Sequence, residues 1–244
     1  MTTLYIVRHG ETNLNREGRF CGSTNMPLNE RGLAQAETLR EPMSKVALNR
    51  IYSSPLDRAV KTAECIQNGR DIEIITENGL SEIDCGKWET LRHDEIEARW
   101  PGGIELWETK PDTLRMEDGE TFAGVQARVS RALLDIVHRE RGNKIAIACH
   151  LMTIQMIMLT IMQAPIRDIW KVVPTATNTS ITTIEIEDNG DFRVVRWSDD
   201  SHLPAELKDS NQKVAKMDNA LADSKYNITN VDGKHHFDGF AKNF

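Results

Sequence analysis

The sequence predicts an α/β protein, a three-layer α/β/α sandwich with a mainly parallel sheet plus an antiparallel edge element. Three observations predict it. Short apolar runs suited to buried strands alternate with stretches of helical periodicity, clusters of chemically capable polar residues follow directly after those runs, and the last two runs flank Asp188-Asn189-Gly190, a hairpin signal. The chain has 244 residues, 39% of them hydrophobic, which is enough for one large core and favours one main domain.

Thr3 to Val7 reads as a buried strand and stops at the polar segment RHGETNLN. From Glu30 to about Glu41, Leu33, Ala36 and Leu39 recur at helical spacing behind Asn29, a good helix cap, and Pro42 ends or kinks the pattern. Arg50 to Tyr52 begins a second strand. Ser53-Ser54-Pro55 then offers a capping hydroxyl with Pro at the first helical position of LDRAVKTAECI, which puts Arg58 in the first turn. Asp71 to Thr76, with its β-branched Ile72, Ile74 and Ile75, reads as a third strand ending in the loop ENGLSEIDCG, which carries Glu82. Thr121 to His138 has Phe122, Val125, Val129, Leu133 and Ile136 at helical spacing, and Arg141-Gly142-Asn143 closes it before the strand KIAIAC and His150. Ile181 to Glu187 and Phe192 to Trp197 form the hairpin.

After Trp197 the chain becomes rich in Asp, Asn, Lys and Ser, so residues 1–198 are expected to form the main domain, with a lid at about 91–118, and residues 199–244 a C-terminal extension. Leu207, Val214, Met217 and Leu221 fall on one helical stripe that would dock on the body or make a homo-oligomer, and NVDGKHHF reads as a turn with short flanking strands. His235-His236 is a weak metal signal better read as a solvated turn, and no metal or other cofactor is expected.

The formal net charge of −7 repels nucleic acid and anionic membrane, so an anionic ligand must be captured by a few local cations. No membrane span or signal peptide is expected, because the most apolar run, Met152 to Ala164, is interrupted by Thr153, Gln155, Thr160 and Gln163. Cys21, Cys65, Cys85 and Cys149 lack CxxC spacing, which points to free thiols in a reducing cytoplasm.

In open α/β sheets ligands bind outside the carboxyl ends of strands, and the reactive residues gather there: Arg8-His9, Arg58, Glu82 and His150 each follow a different strand. A neutral imidazole can attack phosphorus, guanidinium forks fit phosphoryl oxygens, and a carboxylic acid can protonate a poor leaving group. Each residue also has a plainer reading: His9 or His150 as a hydrogen-bonded core histidine, Arg58 as a surface arginine paired with Asp57 or Glu64, and Glu82 as a solvated acid beside Asp84 and Glu89.

The strings RHGET at Arg8 to Thr12, PLNERG at Pro27 to Gly32, SSPLDRAVKTAE at Ser53 to Glu64, LSEIDCGKWE at Leu80 to Glu89 and ACH at Ala148 to His150 resemble the histidine phosphatase superfamily over roughly the first 198 residues. The resemblance implies phosphoryl transfer through a phosphohistidine on His9, a phosphate pocket of Arg8, Arg58 and His150 with Asn15 touching the phosphate, and Glu82 as proton donor. It favours a small broad-specificity phosphatase without metal. The alternatives are a phosphoglycerate-type mutase and a catalytically idle protein that binds a phosphate ligand. Two positions depart from the family, Leu151 after the second histidine and Thr90 after the WE pair, where Gly is usual.

The lid segment has eight acids, Asp94, Glu95, Glu97, Glu105, Glu108, Asp112, Glu117 and Asp118, against Arg92, Arg99, Lys110 and Arg115. This predicts a small phosphorylated metabolite with one phosphate on a neutral or cationic body. Trp88, Trp100 and Trp107 could roof the site.

Overall fold

The computed structural model describes residues 1–208 and the pair 235–236. Its strands are β1 (Thr2–Arg8), β2 (Arg50–Ser53), β3 (Ile74–Thr76), β4 (Lys144–Cys149), β5 (Ile181–Ile186), β6 (Asp191–Asp199) and β7 (His235–His236). Its α-helices are α1 (Asn13–Arg16), α2 (Glu30–Glu37), α3 (Arg40–Ser44), α4 (Asp57–Gln67), α5 (His93–Arg99), α6 (Gly103–Thr109), α7 (Phe122–Arg139), α8 (Leu151–Met162) and α9 (Ile169–Val172). The sheet order is β3-β2-β4-β1-β5-β6-β7. The first four strands are parallel to one another, and β5 runs antiparallel to β1, followed by β6 and β7. This is the expected mainly parallel sheet with an antiparallel edge.

The three layers follow from the period-2 alternation of the strands. Leu4, Ile6, Tyr52, Ile145 and Ile147 point to the face covered by α7 and α8. Val7, Ile51, Ala146 and Ala148 point to the opposite face, under Leu39, Met43, Ala63 and Ile66 of the α2–α4 region. Strands β1 and β4 are apolar on both faces, as a strand covered by helices on each side must be. In α8 every residue after Leu151 is buried, so the Met152–Ala164 run is a core helix. No described helix is long and apolar enough to cross a membrane.

Three local expectations are corrected. The helix predicted over Glu30–Glu41 is two short helices: α2 ends at Glu37, and Pro42 sits at the third position of α3, where an absent N–H leaves no intrahelical bond unmade. Pro55 precedes the first helical position, because Leu56 is the N-cap of α4 and the Ser54 hydroxyl accepts from the Leu56 N–H at 3.3 Å. Strand β3 pairs only from Ile74, which lies opposite Ile51 near the start of its parallel partner β2, to Thr76, opposite Ser53 at the end of β2.

Two glycines are required by close packing. A Cβ on Gly10 would lie 2.4 Å from the Gly32 carbonyl oxygen, and one on Gly32 would lie 2.0 Å from that of Glu11. The RHGET and PLNERG segments therefore touch backbone to backbone, and Glu11 ties them further by accepting from Asn29 Nδ2 at 2.8 Å and Arg16 Nε at 3.0 Å.

Of the predicted tail stripe only Leu207 is described; Val214, Met217 and Leu221 lie outside the described residues. The chain reaches Leu207 along α2, where its carbonyl accepts from Gln35 Nε2 at 3.0 Å and Arg31 donates to the carbonyls of Glu206 and Lys208. His235-His236, expected in a turn, instead pairs with Phe192 and Asp191 as a short antiparallel strand.

Thr90 adopts a left-handed backbone with φ of 65°. A β-branched residue there costs on the order of 1–3 kcal/mol, more than the entropy a glycine would lose. Thr90→Gly is expected to stabilise the fold by about 1 kcal/mol and raise the melting temperature by about 2–4 °C, measured by thermal denaturation.

Candidate active site

The parallel strands β1, β2 and β4 deliver their carboxyl ends to one edge, and the loop after β3 joins them there. His9 follows β1 directly, and its N–H donates to the Cys149 carbonyl at 2.9 Å, which sets it beside His150 at the end of β4. The two imidazoles lie 5.0 Å apart between ring centroids. Arg58 enters from the second residue of α4, and Glu82 from the loop after β3.

The hydrogen bonds assign the tautomers. His9 Nδ1 lies 2.6 Å from the Gly10 carbonyl, which can only accept, so Nδ1 carries the proton and Nε2 keeps its lone pair. Arg58 Nε–H donates to His150 Nδ1 at 3.2 Å, so the His150 proton is on Nε2 and is donated to Ser54 Oγ at 2.7 Å. Both histidines are held well below their ordinary pKa, first by burial and then by the neighbouring guanidiniums, which matches neutral rings.

Arg58 is 0% exposed, and its other two nitrogens donate to the carbonyls of Thr24 at 2.8 Å and Gly22 at 2.7 Å. Arg8 is anchored through Nη1 to the Ala176 carbonyl at 2.7 Å. Burial raises the Glu82 carboxyl above its usual value, an effect opposed by the N–H groups of Ile83 and Met152 and by the charges of Arg58 and Arg8.

These side chains border a cavity of about 220 Å³ lined by Arg8, His9, Asn15, Arg58 and Glu82, together with Phe20, Trp107, Leu151, Gln155 and Trp170. Asn15, which lines the cavity, closes a capping box with Thr12, its Oδ1 accepting from the Thr12 N–H at 3.2 Å, so the Nδ2 amide is not used in that bond. His150 does not line the cavity. Its ring packs against Arg58 and His9. Leu151 is the first residue of α8 in ordinary helical geometry, so nothing at that position demands glycine, and its side chain simply narrows the wall.

The lid differs from expectation. None of its eight acids lines the cavity; Glu95 pairs with Arg19 at 2.7 Å and Glu97 accepts from the Gly102 N–H. Of the three tryptophans only Trp107 reaches it, while Trp88 is core and Trp100 packs on Trp88. Phe20, Gln155 and Trp170 were not anticipated as site residues. Gln155 alone carried a signal, as a polar residue in an apolar run one helical turn past Leu151.

Cys21 and Cys85 also line the cavity, with burial pushing both thiols up, so neither is a ready thiolate. All four cysteines are free.

Glu89, beside Glu82 in sequence, has a separate task. Its Oε1 accepts from the Ser23 N–H at 2.6 Å, the Ser23 hydroxyl at 2.9 Å and the Cys85 N–H at 3.2 Å, and Oε2 binds the Thr24 hydroxyl. It fixes the loop whose carbonyls at Gly22 and Thr24 hold Arg58. Glu89→Ala is expected to weaken binding of inorganic phosphate about tenfold by calorimetry, equivalent to about 1.4 kcal/mol, with Glu89→Gln restoring most of it because Oε1 makes most of the contacts.

Comparison with known proteins agrees with this geometry. A model of the histidine phosphatase superfamily (branch 1) matches residues 4–200. Phosphoserine phosphatase 1 of Hydrogenobacter thermophilus is 29% identical over 188 residues, covering 77% of this chain and 88% of that protein. Phosphoglycerate mutase-like protein 4 of Arabidopsis thaliana is 28% identical over 204 residues, covering 82% and 86%. Among solved structures, Bacillus stearothermophilus YhfR superposes with a TM-score of 0.78 at 36% identity, over 83% of this chain and 99% of that one. With the strand order, the paired histidines and a match over most of its length, the chain belongs to the histidine phosphatase superfamily.

Proposed function

We propose that the protein is a phosphomonoesterase that hydrolyses a small phosphorylated metabolite through a phosphohistidine on His9. The observation that carries this reading is the tautomer of His9. Its proton is spent on the Gly10 carbonyl, so a neutral Nε2 lone pair is available at a cavity that also holds two guanidiniums and a carboxyl group.

In the first step Nε2 of His9 bonds to phosphorus as the ester P–O bond breaks, and the protonated Glu82 carboxyl gives its proton to the leaving oxygen. In the second, Glu82 as carboxylate takes a proton from water, the water oxygen bonds to phosphorus, and the P–N bond returns its electron pair to Nε2. Arg8 and Arg58 bind the equatorial oxygens, where transition-state charge accumulates. His150 and Ser54 keep the Arg58 fork oriented, and the Asn15 amide adds a donor.

A mutase acting on a sugar acid would need a cation for the substrate carboxylate. Among the described lining residues Arg8 and Arg58 are the fixed cations, and the phosphoryl group takes both. That favours water as acceptor.

With p-nitrophenyl phosphate and EDTA present, the wild type is expected to release phosphate and His9→Ala none. Retained turnover in His9→Ala would overturn the mechanism. With 2-phosphoglycerate as substrate, accumulation of 3-phosphoglycerate with little free phosphate would establish a mutase, and phosphate binding without phosphohistidine would establish a receptor.

His9 must be neutral, and its pKa lies below 6.5, so activity rises with pH through an acidic limb. Glu82 must start protonated, and burial raises its pKa above the ordinary carboxylate value, so activity falls as pH rises through that raised pKa. A bell-shaped profile is expected in kcat/KM, and Glu82→Gln should remove the alkaline limb. The same variant should slow alkyl phosphates about 10²–10⁴-fold while p-nitrophenyl phosphate, whose leaving group needs little protonation, falls less.

A further inference from the structure

Beyond the phosphate-binding groups, the cavity has a second half of different chemistry. Phe20, Trp107 and Trp170 form an aromatic wall, with Trp107 lying 5.0 Å from Phe20 at 82° and 5.6 Å from Trp170 at 36°. Trp170 Nε1 donates to the Trp107 carbonyl at 2.6 Å, so the pair is locked and presents ring surface rather than a donor.

Gln155 completes this half. It is 1% exposed and lines the cavity, and its Nε2 donates to the Val173 carbonyl at 3.4 Å, which fixes the amide orientation. Oε1 is buried and accepts no hydrogen bond among the described residues. A buried carbonyl of this kind costs about 1–3 kcal/mol until it meets a donor. The only carboxylate lining the cavity, among the described residues, is Glu82, and no cation beyond Arg8 and Arg58 is fixed there.

We propose that this half of the cavity selects the leaving group: an aromatic ring that carries an N–H or O–H donor and no carboxylate, stacked on Phe20, Trp107 and Trp170 and hydrogen-bonded to Gln155 Oε1. Size agrees with a single ring, since a cavity of roughly 150 Å³ accommodates benzene and the whole cavity, phosphate end included, is about 220 Å³. A carboxylate on the same ring would enter without a counter-cation and face Glu82. The proposal rests on the phosphomonoesterase reading and adds its substrate class, with Gln155 as the specificity-determining residue.

The test compares kcat/KM for phenyl phosphate, 3- and 4-aminophenyl phosphate and 4-carboxyphenyl phosphate in the wild type, Gln155→Leu and Gln155→Met. The two phenol types have similar leaving-group strength, and any residual difference cancels between variants. An aminophenyl isomer is expected to exceed phenyl phosphate by about 2–12-fold in the wild type, the range of one net hydrogen bond of roughly 0.5–1.5 kcal/mol. The ratio should drop to about one in both variants, with phenyl phosphate turnover retained as proof of folding, and 4-carboxyphenyl phosphate should be the poorest substrate. Trp170→Ala should raise KM for phenyl phosphate several-fold more than it raises KM for glycerol phosphate.

Equal turnover of all aryl esters, an amino preference that survives both substitutions, or a preference for the carboxylate would overturn the proposal while the phosphatase reading stands. If the wild type hydrolyses none of them, that reading fails, and the same ratios taken as dissociation constants by calorimetry decide the proposal alone.

Discussion

A guanidinium with no exposed surface is the constraint around which this site is built. Removing a charge from water costs several kcal/mol unless its donors find partners, and Arg58 places three of its five N–H donors on two loop carbonyls and one imidazole nitrogen, one from each of its nitrogens. Each partner imposes a further requirement. The carbonyls of Gly22 and Thr24 face inward because Glu89 grips Ser23 and Thr24 from behind. The imidazole of His150 must present Nδ1 as a lone pair, and Ser54 ensures this by taking the proton on the other side. None of these partners is a carboxylate, so the positive charge of Arg58 is solvated without being neutralised. Although the whole chain is acidic, the bottom of this cavity is a preorganised place for a dianion.

The signature strings thereby divide into chemistry and scaffolding. In RHGET, Arg8 and His9 face the cavity, while Gly10 permits the approach of Gly32, Glu11 collects the polar groups of the neighbouring segment, and Thr12 caps α1. A motif can thus be unbroken for reasons of packing as much as reactivity. The same division separates Glu82 from Glu89, two loop acids seven positions apart, one opening onto the cavity and the other holding its walls.

What the sequence could convey follows from range. The strand ends bearing His9, Arg58, Glu82 and His150 were legible because each depends on a local pattern: an apolar run, a cap, a polar break. The helix breaks around Pro42 and Pro55 are less legible, since a proline is compatible with several first-turn positions and tertiary fit chooses among them. Phe20, Trp107 and Trp170 come from separate segments and meet only after folding, so no spacing could announce them. The acids of the lid were legible as composition but not as direction: Glu95 turns to Arg19, Glu97 to the Gly102 N–H, and none of the eight lines the cavity.

The sheet order carries a consequence for how the molecule is made. Strand β4 lies between β2 and β1, yet it follows both by about ninety residues or more in the chain. Until Lys144–Cys149 is available, β1 and β2 have no common neighbour, each presents an open parallel edge, and His9 lacks the Cys149 carbonyl that sets its position. On a ribosome the N-terminal half must therefore wait, in contact with solvent and with other nascent chains, for the strand that closes it. Phosphate-binding competence therefore cannot precede the insertion of β4, and the anchor of Arg8 on the Ala176 carbonyl comes later still.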